Sequence, residues 1–456
     1  MHAGQSVELA DTNICVLGLG YVGLTLAVTL ADIGFSVHGV EIREEVLEKL
    51  AAGQAHFHEP GLDERLQRVV QNGRFTFGAT IGDNWRGTVY IITVGTPLGP
   101  DGKARLDMIR NVAHEVASVL RDGDLVVLRS TVKLGVTRNV VKPILDGAAK
   151  SYDLAFCPER TLEGNALNEL RQLPQIVGGV THRAAVRASQ LFQFVTPTVV
   201  RVSDAETAEM IKLVDNAHRD VMFAYANEVA RACDAAGVSA AEVIRAGKLG
   251  YPRTNLPMPG LVGGPCLEKD PYILAEGLEE RGYAPPLTVA ARRLNERLPS
   301  EVVRELATRL EKVPGFPKAP TVCMLGIAFK GRPPTDDLRG TMARPVLEAL
   351  RAAFPRGRFR GFDAVVPRSC VEAFGLEPAD TLEEAFAGAH LVVITNNHPA
   401  FAAMSVGTLA GAMARPGVVY DFWNNFDAHA LRLPESVAYL ALGSHGKGVW
   451  PWRESG

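Results

Sequence analysis

Three glycines near the start of the chain, spaced Gly18-x-Gly20-x-x-Gly23, constrain its fold more than any other feature. They follow an apolar run from Ile14 to Leu17 and open a segment, Tyr21 to Gly34, whose apolar residues recur at helical spacing. A strand covered on both faces is apolar throughout, so the run reads as a buried parallel strand passing directly into a helix. In that setting the glycines serve a tight turn, close approach of the backbone to a pyrophosphate, and close helix–strand packing, with phosphates at the helix N-terminus. Tyr21 and Val22 lie inside the same turn and count with the glycines as cofactor contacts. A second strand, Ser36 to Ile42, carries Glu41 eighteen residues past Gly23. A carboxylate there accepts from a ribose 2′-hydroxyl and favours NAD over NADP, whereas Arg43 beside it is the residue type that accommodates a 2′-phosphate. The competing reading is a glycine-rich turn in some other α/β protein.

Two more strands follow at βαβ spacing, Thr88 to Pro97 and Asp124 to Val132, with polar C-terminal ends at Thr96 and Thr131. Ligands bind outside the carboxyl ends of strands in open parallel sheets, so these hydroxyls either meet the cofactor or cap their strands. A short apolar strand then ends at Pro158, and Glu159, Arg160 and Glu163 share the loop after it. Two carboxylates there are either an acid/base pair or surface charge. Asp204 to Gly237 has the periodicity of one long helix, with Lys212, Asn216 and Arg219 on a face beside the apolar one and Asp220 beyond. That face is either the helix's wet side or part of a site. Such a helix between two α/β units could act as spine and as dimer surface.

Prolines and glycines crowd Tyr251 to Pro265, which reads as irregular backbone and contains Arg253, a candidate anion contact. Within Gly260 to Pro271, Cys266 follows the Gly263-Gly264 pair and precedes Lys269 and Asp270. A thiol on so flexible a loop beside a lysine is either a nucleophile or a buried small hydrophobe. A second helical region, Leu287 to Leu310, includes Asn295 and Pro299. From Ala319 the strand-then-glycine opening recurs without GxGxxG, so a second dinucleotide site is not implied. Lys330 closes that strand, and Asp336, Asp337 and Arg339 occupy the loop beyond it, either closing over a phosphorylated ligand or lying in solvent. The fold class is therefore α/β, with two Rossmann-like doubly wound domains joined by a central helical region with one long helix. The divisions fall at residues 1–200, 201–312 and 313–456.

Length agrees, since 456 residues exceed one core. Lys plus Arg number 48 against 51 Asp plus Glu, a net charge of −3, which gives no global reason to expect nucleic acid or an anionic membrane as partner. The six cysteines show neither CxxC pairs nor zinc spacing, so no metal site or disulfide framework is expected. The first residues lack a basic and apolar leader, and no apolar run of about 18 residues occurs, so a cytoplasmic protein without a membrane span is expected.

These segments together resemble the UDP-glucose/GDP-mannose (nucleotide-sugar) 6-dehydrogenase family, from about Asn13 to about Gly446. GLGYVGL, the EPGL of Glu59 to Leu62, VGTP, STV, PER with EGN, the Lys212–Asn216 helix, GGPCLEKDP, GIAFK and DDLRGT occur in the family's order. The segments around Glu159 and Lys212 look more like the UDP-N-acetylhexosamine branch, which acts on UDP-N-acetylmannosamine or UDP-N-acetylglucosamine. The cysteine loop differs from that branch: Pro265 stands where histidine is expected, and Lys269-Asp270 resembles the UDP-glucose enzymes.

The resemblance implies a four-electron, NAD-dependent oxidation of the sugar C6 hydroxyl to a carboxylate, supplying surface-polysaccharide precursors. In it Cys266 would be the nucleophile, and Lys212 and Asn216 the oxyanion contacts. Asp270 and Glu159 would move protons, and Thr131 would help hold the hydrolytic water. Gly18, Gly20, Tyr21, Val22, Gly23, Glu41, Arg43, Thr96, Thr131, Glu163 and Arg339 would meet NAD. Glu159, Arg160, Lys212, Asn216, Arg253, Gly263 and Lys330 would meet the UDP-sugar. A homodimer or higher homo-oligomer is implied. Two rivals remain at this stage: a 3-hydroxyacid-type dehydrogenase, which releases one NADH per substrate instead of two, and a non-catalytic NAD or nucleotide-sugar sensor.

Overall fold

The computed structural model describes residues 11–82, 85–444 and 448–452. Residues 1–10, read above for a leader, and Gly446, where the resemblance ends, lie outside the described residues. Two compact units result. One runs up to Asp215 and takes in Tyr272–Ala284, and the other comprises Asn216–Pro271 and the chain from Pro285 on.

The first unit is built on an eight-stranded sheet. Its strands are β1 (Asn13–Leu17), β2 (Ser36–Val40), β3 (Phe75–Gly78) and β4 (Val89–Ile92), then β5 (Leu125–Leu128), β6 (Asp153–Phe156), β7 (Gln175–Gly179) and β8 (Val199–Val202). Their order is 3-2-1-4-5-6-7-8, parallel except where β7 runs against β6. The order reverses between β1 and β4, the switch point at which ligands bind in doubly wound sheets. Both faces of β1 are covered: Ile14 and Val16 enter one core, Cys15 and Leu17 the other. That double burial explains the unbroken apolar run in the sequence.

The second unit repeats the pattern with β9 (Thr321–Leu325), β10 (Arg358–Phe362), β11 (Glu377–Pro378), β12 (Leu391–Ile394), β13 (Gly417–Asp421) and β14 (Val437–Ala441). These six strands pair in the order 11-10-9-12-13-14, all parallel. At the end of β10, Asp363 accepts hydrogen bonds from the N–H groups of Ile327 and Ala328 at 2.7 and 3.1 Å. The acid that corresponds to Glu41 is thus occupied by its own turn.

The long helix spans Ala205–Ala236 and passes from one unit into the other. The helix Pro286–Leu310 contains Pro299, as the sequence suggested. Strands β3, β7, β8, β11 and β14 have no counterpart among the segments read from sequence. Strands β3, β8 and β11 keep residues at the surface, which weakens the apolar signal, and β7 ends in two glycines. Cys266 is also placed differently. The irregular segment ends at Gly263, and Gly264–Leu267 forms one helical turn containing the cysteine, followed by the helix Asp270–Glu279. Pro265 favours that turn, because a proline's fixed φ suits the first positions of a helix.

Candidate active site

In the first unit the three glycines occupy the β1–helix turn, and the helix Tyr21–Ile33 begins directly after Gly20. Gly18 has φ +96°, open to glycine at no cost. A Cβ on Gly23 would overlap the carbonyl oxygen of Gly18, whereas one on Gly20 would meet nothing within 4 Å. Gly23 therefore permits the helix to close on the strand, and Gly20 leaves space above the helix N-terminus, where a pyrophosphate fits. Glu41 accepts from the Leu19 N–H at 3.2 Å and pairs with Arg43 through two bonds of 3.0 Å. Burial would raise its pKa, but Arg43 and the Leu19 N–H hold it below the usual carboxylate value, so it is ionised and able to accept from a ribose hydroxyl. Arg43 is turned onto Glu41. These residues fit NAD, which they would hold by glycine backbone at the phosphates and Glu41 at the ribose.

Tyr21 donates to Glu59, which also accepts from the Gly164 N–H at 2.8 Å and the Leu167 N–H at 3.3 Å. The EPGL motif thus ties the first glycine turn to the loop carrying Glu159 and Glu163, the latter half-buried beside Gly164. Thr96 donates to the Thr131 carbonyl at 2.5 Å, joining the ends of the β4 and β5 segments. Val22 follows Tyr21 in the first turn of the helix.

Glu159 is buried and pairs with Arg129, itself only 2% exposed. Its Oε1 accepts from the N–H groups of Arg160 and Thr161 at 2.6 and 2.7 Å. Burial pushes its pKa up, but Arg129, the Thr161 N–H and Lys212 outweigh this and keep it below the usual value. Arg160 itself reaches Asp215 at 3.5 Å. Lys212 is buried on the long helix. The face read as adjacent to the apolar one is in fact buried at Lys212, Asn216 and Asp220, whereas Arg219 faces water. Helical phase alone does not separate them, since Arg219 comes round to within about 20° of Lys212; the elements packed against each turn decide which side chains are covered.

In the second unit Asp270 is fully buried and accepts from Asn216 Nδ2 and Lys269 Nζ, each at 2.6 Å. Burial alone would lower the Lys269 pKa, but Asp270 and Cys266 raise it above the ordinary lysine value. The coupling is mutual, so the ammonium favours the Cys266 thiolate. Of the six cysteines Cys266 is the exposed one; Cys370 is half-buried and the other four are buried. Burial pushes the thiols of Cys157 and Cys323 up to about 12 and raises those of Cys15 and Cys233, leaving them unreactive. Gly264 has φ +91°, and a Cβ there would overlap the Phe329 ring. One on Gly263 would overlap the Gly340 carbonyl oxygen, which accepts the Gly264 N–H at 2.8 Å.

The remaining expected contacts are held by other partners. Arg339 is exposed and paired with Asp337, and Lys330 Nζ sits 5.3 Å from the Phe329 ring centroid. Arg253 is exposed and stacks 4.6 Å from the Tyr251 ring. Sequence reasoning passed over Arg129, Glu59 as a structural tie, and Arg292. Arg129 had a visible signal, a charge closing an apolar strand. Arg292 had none beyond helical phase, which buries it and exposes Arg293.

Comparison with known proteins bears on the whole chain. The UDP-glucose/GDP-mannose dehydrogenase family matches in three parts: its NAD binding domain over residues 12–196, its central domain over 206–297 and its UDP binding domain over 323–428. A UDP-N-acetyl-D-mannosamine dehydrogenase of Pyrococcus horikoshii is 35% identical over 414 residues, 90% of this chain and 94% of the relative. The solved structure of a UDP-D-ManNAc dehydrogenase from that organism superposes with a TM-score of 0.83 at 31% identity, covering 95% of this chain and 100% of the other. A UDP-glucose dehydrogenase from Pyrobaculum islandicum superposes with a TM-score of 0.82 at 27% identity, covering 95% and 98%. Two Rossmann-like sheets, an NAD turn and a cysteine beside a lysine–aspartate pair coincide with these matches, and the chain belongs to the UDP-glucose/GDP-mannose dehydrogenase family of NAD-dependent nucleotide-sugar oxidoreductases.

Proposed function

We propose that this chain oxidises the C6 hydroxyl of a UDP-N-acetylhexosamine, UDP-N-acetyl-D-mannosamine foremost, to the uronate through a thioester on Cys266. The observation that carries the chemistry is the exposed Cys266 beside the half-buried cation Lys269. The choice of sugar is supported by relatives from Pyrococcus horikoshii and Campylobacter jejuni that act on UDP-N-acetyl-D-mannosamine. NAD⁺ supplies the acceptor for two hydrides, one at each oxidation level.

After the first oxidation the Cys266 thiolate adds to the C6 aldehyde carbon and forms a thiohemiacetal, whose loss of a second hydride leaves a thioester. Water cleaves that thioester, giving the carboxylate, a proton and the free thiol. Lys212 and Asn216, one helical turn apart, supply the charge and the N–H that stabilise the oxyanion at C6. Asn216 has one N–H committed to Asp270, and the other serves the oxyanion. Asp270 holds Asn216 and Lys269 in place. Glu159, kept ionised, accepts the proton of the hydrolytic water, and the Thr131 hydroxyl helps to hold that water. On the substrate side Arg160, Arg253, Gly263 and Lys330 contact the nucleotide and sugar, and Glu163 and Arg339 contact the cofactor.

The protein works as a homodimer or higher homo-oligomer in the cytoplasm, making surface-polysaccharide precursors. Support for self-association comes from exposed Val214 and Tyr225, eleven residues apart on one face of the long helix, with Val243, Leu249 and Tyr251 exposed shortly after it. Among the described residues no helix is long and apolar enough to cross a membrane.

The test is NADH release from UDP-N-acetylmannosamine, UDP-N-acetylglucosamine, UDP-glucose and GDP-mannose by wild type and Cys266→Ser. The first sugar should give two NADH per molecule, and the variant should make no uronate. Uronate formed by Cys266→Ser at the native rate would refute the thioester route, and preference for UDP-glucose would refute the assigned sugar. Light scattering at micromolar concentration reads the oligomer, and a monomer would refute that part.

A further inference from the structure

The long helix and the helix Pro286–Leu310 bury four polar side chains against each other: Asp220, Asn227, Arg292 and Asn295. Seven residues separate the first pair and three the second, so each pair lies on one face of its helix. Arg292 is wholly buried, and its Nη1 donates to Asp220 Oδ1 at 2.8 Å and to the Leu267 carbonyl at 3.0 Å. Its Nη2 donates to the Val262 carbonyl at 2.9 Å. Asn227 closes a two-bond ring with Gly260, donating to its carbonyl at 3.0 Å and accepting its N–H at 2.9 Å. Asn295 links the set, accepting from Asn227 at 3.0 Å and donating to Asp220 Oδ1 at 2.9 Å.

We infer that Asn227 and Arg292 are positioning residues for Cys266, fixing the backbone before and after the cysteine turn so that the thiol meets the sugar in register. The inference rests on the proposed cysteine chemistry. Leu267 follows Cys266 directly, and Gly260 and Val262 precede it across the Gly263-Gly264 pair, which has no side chains of its own to anchor that stretch. Burying four polar groups is a poor way to gain stability, because well-packed apolar residues in place of a buried ion pair are often as stable or more so. The network is not optimised for its own pairing either, since Asp220 Oδ2 makes no hydrogen bond. Three of its bonds are donated to backbone oxygens of the one segment that carries the thiol, those of Gly260, Val262 and Leu267. A nucleophile held by flexible backbone loses rate steeply with small displacements, which a rigid clamp from two helices prevents.

The test uses Asn227→Ala and Arg292→Lys in the full chain, in a Cys370→Ser background so that Cys266 is the reactive thiol. Alkylation of Cys266 by iodoacetamide is followed by intact mass, and NADH and free aldehyde, trapped with a hydrazine, are counted per UDP-sugar. Asn227→Ala removes one clamp only and guards against loss of folding at Arg292. Both variants should bind NAD⁺ as the parent does. The alkylation rate should change at least fivefold, kcat should fall at least tenfold at near-constant KM for NAD⁺, and aldehyde should escape. A role in stability alone would lower the melting temperature and leave alkylation and the aldehyde count unchanged. Alkylation within twofold of the parent in both variants overturns the inference. That arm needs no sugar, so it decides the positioning role even if the parent oxidises none of the sugars, a result that would sink the substrate reading instead.

Discussion

Glu209 is fully buried on the long helix and accepts from the Gly135 N–H at 2.5 Å, the Thr137 N–H at 2.9 Å and the Thr137 hydroxyl at 2.6 Å. Burial outweighs those donors and raises its pKa from 4.5 to about 7. Between these values the native chain holds a proton that the unfolded chain has released. Stability from this group is therefore present in full below 4.5, falls as pH rises and is flat above about 7. At about 1.4 kcal/mol per pH unit the loss is roughly 3 kcal/mol. Urea midpoints of Glu209→Gln between pH 4.5 and 8 should lack that slope; an unchanged slope would assign it to other groups. Arg129 and Glu159 make the opposite case, a buried pair kept charged. Arg129→Met should cost about 3–5 kcal/mol, and Arg129→Met/Glu159→Gln should recover part of it, because the single change strands a buried charge.

At the scale of elements, the long helix carries one buried polar line, Glu209, Lys212, Asn216, Asp220 and Asn227, at spacings that return to the same face. The sequence displayed these residues, and Lys212 with Asn216 was legible as a candidate pair. What it could not display was that the line is buried, because that depends on which elements cover it. The cysteine turn behaves similarly. Its glycines announced an unusual backbone, but Gly264 is needed at φ +91° against Phe329, a residue sixty-five positions later. Gly264→Ala should therefore displace the turn and lower kcat by at least about tenfold, or 1.4 kcal/mol in the barrier, with NAD⁺ affinity retained. Fluorescence titration with NAD⁺ beside steady-state kinetics checks both halves, and a loss confined to NAD⁺ affinity would contradict it.

For the whole molecule, each sheet has its own pair of cores, and the glycine turn with Glu41 belongs wholly to the first unit. Calorimetry should therefore resolve two transitions, of which one rises with NAD⁺, by about 2.7 kcal/mol of stabilisation at a hundredfold excess over Kd. A single transition moving as a whole would show that the units unfold as one. The sequence by itself determined the repeated α/β plan and the dinucleotide turn, and it singled out Cys266, Lys212, Asn216, Glu159 and Asp270 as candidates for the chemistry. Those signals are local: strand periodicity, glycine spacing and residue type are all written within a few turns of chain. Only the tertiary structure decided that Asp270 anchors both Lys269 and Asn216, that Arg129 keeps Glu159 charged, and that Arg292 holds the cysteine turn. Each of these joins residues distant in the chain, and their burial and partners exist only once the elements have packed.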